Sequence, residues 1–223
     1  QMRHFINHTE ENYLKAIYSL SQKPNQGVST NAIAKSLNTK ASSVTDMMQK
    51  LAEKGLVSYK KYYGVQLTSS GQLIALNTIR KHRLWEVFLV DKLSFNWDEV
   101  HEIAEQLEHI QSSELTNRLD IFLGNPKFDP HGDPIPNSQG EIENYHDTLL
   151  LSELEIGAFC TLVGVADSSS VFLKHLEKRQ LKLGSEIRLI NVFEYDRSLS
   201  IEVANIQRII SNRVADNLIV KPL

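Results

Sequence analysis

Apolar residues recur at helical spacing from early in the chain. Tyr13, Leu14, Ile17, Tyr18 and Leu20 share one face of a first helix, with Thr9 as its candidate cap. Pro24, Asn25 and Gly27 interrupt the pattern. Ser29 or Thr30 then caps a short helix with Ile33, Ala34 and Leu37 turned inward. A brief turn at residues 38–39 leads to a third helix over 40–54, striped by Val44, Met47, Met48 and Leu51. Gly55 follows, where a left-handed residue ends a helix. Two short β runs at 56–59 and 65–68 flank the basic, aromatic turn Lys60-Lys61-Tyr62-Tyr63-Gly64. Helix, helix-turn-helix and hairpin in this order predict an N-terminal winged helix-turn-helix.

Ser69 or Ser70 caps a long helix predicted to reach residue 93, a second is predicted over 96–110, and a shorter one over 113–123. Residues 124–147, rich in Pro, Gly, Asp and Asn, read as an extended connector. Beyond residue 149 the texture changes to short β-rich runs at 159–165, 186–192, 198–203 and 217–220 around one helix at 169–177. That spacing is barrel-like. The fold expected is mainly α with a small β domain, divided at 1–72, 73–147 and 148–223.

Charge sharpens this division. Through residue 72 the chain carries nine Lys/Arg against four Asp/Glu, whereas residues 73–146 carry six against thirteen. A basic head on an acidic body suits a phosphate-facing module joined to a cation-binding one. No run approaches the ~18 apolar residues of a membrane span, and the start lacks the apolar block of a secretory leader. Cys160 is the single cysteine, which excludes disulfide scaffolds and all-thiolate metal sites and suggests a reducing, cytoplasmic compartment.

The third helix is the candidate DNA reader. Lys40, Ala41, Ser42 and Ser43 form its first turn, with Thr45, Asp46 and Lys50 beyond; small hydroxyl residues let a helix N-terminus approach phosphates. Lys60 and Lys61 at the hairpin tip suit phosphate contacts. On the helix predicted over 96–110, His101, Glu105, Glu108 and His109 fall within roughly a 100° arc. The stripe Val100, Ile103, Leu107 and Ile110 lies beside them. Imidazoles and carboxylates converging next to a buried stripe call for a cation. His82 and Glu86, at i and i+4 on the preceding helix, also point one way. Such a thiolate-free set suits Mn²⁺, Fe²⁺ or Zn²⁺, and its oxygen content tilts toward Mn²⁺. A hydrolase spacing such as His-Glu-x-x-His is absent, so an enzyme is not expected.

These residues resemble the iron- and manganese-dependent regulators typified by the diphtheria toxin repressor. The resemblance lies in Thr9-Glu10-Glu11-Asn12-Tyr13-Leu14, Ser42-Ser43-Val44-Thr45, Gly55-Leu56-Val57 and Leu67-Thr68-x-x-Gly71. It continues in Arg80-Lys81-His82-Arg83-Leu84-x-Glu86, Val100-His101, Glu105-x-x-Glu108-His109, Pro130-His131-Gly132-Asp133-Pro134-Ile135-Pro136 and Leu183-Gly184-Ser185-Glu186. It implies a helical dimerisation domain, a C-terminal SH3-like (FeoA-like) β-barrel and two metal sites. One site would use Asn12, Glu105, Glu108 and His109, with Glu11 as a further carboxylate. The other would use His82, Glu86 and His101, with Asp167 standing in for unmatched ligands of the third domain. Glu105 replaces the Cys of iron-type members, as in manganese types, while Asn12 replaces their Met or Asp. Lys15 stands where a two-domain manganese sensor has another carboxylate, which argues against a tight binuclear pair. The resemblance implies a Mn(II)-activated homodimeric repressor of metal-uptake genes, acting on palindromic double-stranded operators. Fe(II) is the alternative, Zn(II) or Co(II) would substitute in vitro, and no membrane or small-molecule substrate is involved.

Overall fold

The computed structural model describes residues 6–21, 27–60, 63–143 and 147–223. Helices α1 (His8–Leu20), α2 (Thr30–Ser36) and α3 (Ala41–Glu53) precede an antiparallel hairpin of β1 (Val57–Lys60) and β2 (Gly64–Leu67). Helices α4 (Ser69–Leu93), α5 (His101–Leu107) and α6 (Ser113–Phe122) follow. The last third contains β3 (Leu149–Leu150), β4 (Phe159–Val165), α7 (Ser170–Lys178), β5 (Glu186–Val192), β6 (Leu199–Val203), β7 (Ile206–Ile210), α8 (Asn212–Ala215) and β8 (Leu218–Pro222). The chain divides into two compact units: residues 1–82, 105–116 and 136–142, and residues 83–104, 117–135 and 143–223.

In the first unit, Leu14 and Ile17 of α1, Ile33 of α2 and Val44, Met48 and Leu51 of α3 close a core with Val57 and Val65 of the hairpin. The predicted stripes supply this core, with Tyr18, Leu20, Leu37 and Met47 only partly buried against it. The cap of α1 is not Thr9 but Asn7: its side chain accepts from the Glu10 N–H at 3.0 Å, while Glu10 Oε2 accepts from the Asn7 N–H at 3.2 Å. This reciprocal pair satisfies two helix-end donors at once, which a cap at Thr9 would leave open. α4 is likewise entered one residue before the expected cap, with Thr68 Oγ1 accepting from the Gly71 N–H.

α5 departs furthest from expectation. It spans His101–Leu107 rather than 96–110, because residues 97–99 form a turn in which the Asn96 N–H bonds Glu99 Oε2. Glu108 and His109 lie in the turn beyond the helix.

The second unit holds two cores, one around Leu84, Val87, Leu119 and Ile135 and a larger one lined by β4, α7, β5, β6 and β8. The barrel expectation is overturned here. Among the described residues the six strands form an open sheet in the order β3-β8-β4-β5-β6-β7. β3, only two residues long, pairs with β8 alone. At the other edge, the Ile209 carbonyl of β7 accepts from Arg179 Nη1 at 2.9 Å, just past α7. A two-residue edge strand and an edge with a carbonyl taken by a side chain do not zip together.

Gly71 packs against the hairpin so closely that an added Cβ would lie 2.0 Å from the Leu56 carbonyl oxygen. Gly71→Ala is expected to destabilise the winged helix by roughly 1–3 kcal/mol, measured by urea denaturation of the full chain. Glu10 is buried; burial alone would raise its pKa, but Lys54, Lys50 and the Asn7 N–H outweigh this and hold it below the usual value. A depressed folded pKa contributes stability above the unfolded pKa of about 4.3 and loses it as pH falls through the folded value. Glu10→Gln should therefore lower the urea midpoint at pH 7 and flatten its decline on acidification toward pH 3.

Candidate metal centre

Helix α3 carries most of the residues expected from the sequence to read DNA. Val44, Met48 and Leu51 face inward, leaving Lys40, Ala41, Ser42, Ser43 and Asp46 exposed and Thr45 half-buried. Lys40 provides no side-chain cap for the first-turn N–H groups of α3. Thr45 Oγ1 donates back to the Ala41 carbonyl at 3.1 Å. Lys50 lies 3.0 Å from Glu10 Oε1, which ties it to α1. Lys60 is exposed at the end of β1; Lys61 lies outside the described residues, as do Pro24, Asn25 and Tyr62.

Two acid- and imidazole-lined centres accompany this surface. In the first unit, Glu108 is fully buried. Its Oε2 accepts from His82 Nδ1 at 2.6 Å and its Oε1 lies 2.6 Å from Lys15 Nζ. Burial by itself would raise the Glu108 pKa, but His82 and Lys15 hold it below the ordinary carboxylate value. Glu105 is more exposed, 3.5 Å from the same ammonium. Glu11, buried on α1, accepts from His109 Nδ1 at 2.6 Å, from Gln111 at 2.8 Å and from Lys81 at 3.2 Å. His8 stacks on the His109 ring at 4.6 Å. With Nδ1–H given to Glu11, the lone-pair nitrogen of a neutral His109 is Nε2, 3.7 Å from Glu108 Oε1. Asn12 is half-buried on α1.

In the second unit Glu86 is the hub. It is buried, its Oε1 lies 3.4 Å from His101 Nδ1, and its Oε2 lies 3.6 Å from His131 Nδ1. His82 precedes it by one turn of α4. Glu86, Asp129 and His131, all buried, bring ligand atoms within 4.8 Å of one another. Burial, Glu86 and Asp133 push the Asp129 pKa up to about 7. Burial would lower His131, yet Glu86, Asp129 and the Trp97 carbonyl raise it to about 9. His131 Nε2 donates to the Trp97 carbonyl at 2.8 Å, which leaves Nδ1 facing Glu86. An imidazole whose far nitrogen is held by a carbonyl is oriented as metal-ligating histidines are. Two buried carboxylates, of which Glu86 helps to raise Asp129, together with an oriented imidazole, fit a divalent cation with oxygen and nitrogen preference.

Asp129 and His131 were not among the residues expected to bind metal. Both sit in an aperiodic loop, where spacing carries no signal. The available clue was Asp129-Pro130-His131-Gly132-Asp133, in which Asp129 Oδ1 accepts from the backbone N–H of His131 and Asp133 at 2.8 and 3.0 Å. Asp167 is half-buried after β4, its Oδ1 accepting from the Ser169 N–H at 2.9 Å. Among the described residues, no grouping of three or more His, Cys, Asp or Glu ligand atoms includes Asp167, Glu105, Glu108, His109 or Glu11.

Residues 6–65 match the iron dependent repressor N-terminal DNA-binding domain, residues 68–137 the iron dependent repressor metal-binding and dimerisation domain, and residues 149–222 the FeoA domain. The chain is 33% identical to a manganese-dependent transcriptional repressor solved in complex with manganese, covering 96% of this chain and 100% of that one with a TM-score of 0.86. The chain belongs to the diphtheria toxin repressor family of iron- and manganese-dependent regulators. An uncharacterised HTH-type transcriptional regulator of Methanocaldococcus jannaschii is 39% identical over 113 residues, 51% of this chain and 90% of that protein. The iron-dependent repressor IdeR of Mycobacterium tuberculosis is 35% identical over 130 residues, 57% of this chain and 55% of that protein. The matched stretch thus spans about half of that family member. Among the described residues, no helix is long and apolar enough to cross a membrane.

Lys60 projects from the hairpin into solvent. Lys60→Ala should weaken binding to all DNA sequences about equally and reduce the salt slope of log K by roughly one counterion. Fluorescence anisotropy on specific and scrambled duplexes between 50 and roughly 200 mM salt checks this; a loss confined to one sequence would assign base reading to the wing.

Proposed function

We propose that this chain is a Mn(II)-activated transcriptional repressor that binds palindromic operators of metal-uptake genes as a homodimer. The observation that carries the reading is Glu86, a buried carboxylate with an imidazole on each oxygen and Asp129 beside it. The ion would be held there by Glu86, Asp129 and His131, with His101 and His82 adjoining, and at a second set by Glu108, His109, Glu105 and Asn12. Asp167 is a further candidate ligand in the loop after β4. The bound ion supplies the positive charge that buried carboxylates need.

The chain's own residues do the rest. Trp97 and Glu11 fix the tautomers of His131 and His109 through hydrogen bonds. Ala41, Ser42, Ser43 and Thr45 bring α3 to the duplex, with Lys40, Lys50, Lys60 and Lys61 on phosphates. Asp46, exposed on the same face, restricts that approach through its negative charge. Two such helices on a two-fold axis match half-sites one helical turn apart. Residues 1–72 form the reading domain, 73–147 the metal-binding and dimerisation domain, and 148–223 the FeoA-like domain of this assembly. The single cysteine, Cys160, is buried, with burial pushing its thiol up to about 11, which suits a cytoplasmic protein without disulfides.

Manganese is favoured by the thiolate-free donor sets and by the likeness to a manganese-dependent repressor. Iron(II) is the second reading, favoured by the likeness to IdeR, while Zn(II) and Co(II) satisfy the same donors in vitro. Glu86→Gln should abolish Mn²⁺-stimulated operator binding in an anisotropy titration of chelator-stripped protein. Full stimulation in that variant would overturn the reading. Linkage adds that operator DNA must tighten Mn²⁺ binding by the same factor.

A further inference from the structure

We infer that Lys15 is a resident counter-cation: its ammonium occupies the Glu105–Glu108 acid pair, and a divalent ion must displace it to be held there. The inference rests on the proposed metal dependence and adds what opposes it. Glu108 is fully buried, and a bare carboxylate in that position would be costly. Its two oxygens are used differently. Oε2 is given to His82, while Oε1, the oxygen facing His109 Nε2 at 3.7 Å, is the one that Lys15 holds at 2.6 Å. The ammonium thus stands on the lone pair where a cation shared by Glu108 and His109 would bond.

α1 supplies both halves of the arrangement. Lys15 follows Glu11 by one turn, so the two project from one face. Glu11 takes His109 Nδ1 and thereby turns Nε2 toward Glu108 Oε1; it is a positioning residue. Lys15 then supplies the charge, tying α1 to the turn after α5 without an ion. Its side chain is 19% exposed and that of Glu105, 3.5 Å away, is 53% exposed, so the ammonium has a route to water along a flexible four-carbon stem. Loading is offset by the loss of this ion pair, and Lys15 therefore sets the ion concentration at which the set fills.

The test uses the full chain after chelation, with Glu86→Gln as background so that the heat of Mn²⁺ binding reports on the Glu108 set. Lys15→Met should bind Mn²⁺ at least about tenfold more tightly, because one positive charge at contact distance is removed. Without metal, its α1 amides should exchange hydrogen faster, and Mn²⁺ should restore their protection. Lys15→Arg, which keeps the charge, should resemble the Glu86→Gln parent in both readouts. If Lys15→Met does not fold, Lys15→Gln carries the same expectation. Unchanged Mn²⁺ affinity in the neutral variant overturns the inference, whatever the exchange rates do. Absence of binding in both parent and neutral variant also overturns it, while leaving Glu86-dependent operator binding intact as a separate result.

Discussion

A carboxylate taken out of water must be met by positive charge or take up a proton, and this fold buries Glu10, Glu11, Glu86 and Glu108. Glu10 is answered by Lys50 and Lys54, which fasten α1 to α3. Glu11 is answered by Lys81, Gln111 and His109, and Glu108 by Lys15 and His82. Glu86 differs from all three. Its neighbours are two imidazoles and a second buried carboxylate, Asp129, which it pushes toward neutrality. The first unit thus meets its buried carboxylates with lysines and imidazoles, while in the second the Arg83 guanidinium, 3.6 Å from Asp129, and the His131 imidazole, raised to about 9, face the Glu86–Asp129 pair.

Much of this was legible because periodicity reports on burial. The stripes Leu14–Ile17 and Val44–Met48–Leu51 needed only helical spacing, and β4 and β5 begin and end where their apolar runs do. His82 and Glu86 were equally readable, since both lie inside an unbroken helix. What escaped depended on contacts remote in the chain. Glu11 was expected as a further metal carboxylate through the resemblance, and helical spacing gave no sign of its hydrogen-bond partner His109, 98 residues away. The helix predicted over 96–110 carried a continuous period, but the local bond of Asn96 to Glu99 starts a turn instead, and Glu108 and His109 leave the helix to reach their partners. Asp129 and His131 have no period at all; backbone bonds to Asp129 fix their geometry.

The barrel expectation failed for a related reason. Strand spacing gave four runs where the sheet has six strands, missing both edge strands, β3 and β7. The sheet stops at a two-residue β3 on one side and, on the other, at β7, whose Ile209 carbonyl is taken by Arg179.

The same sheet bears on the metal centre through the His131 loop. Val165 at the end of β4 donates its N–H to the His131 carbonyl at 3.0 Å. Gly132 runs so close to β4, at φ +89°, that a Cβ would sit 2.2 Å from the Val163 oxygen. Only glycine meets both demands, the left-handed backbone and the close approach. His131 is therefore held from two sides, its ring by the Trp97 carbonyl and its backbone by β4. A side chain anchored this way cannot shift independently of the strand, so the FeoA-like sheet helps fix the geometry of the Glu86–Asp129–His131 cluster without supplying a strand residue to it. Rigid placement of a mixed oxygen and nitrogen set favours selection among ions by fit as well as by donor hardness.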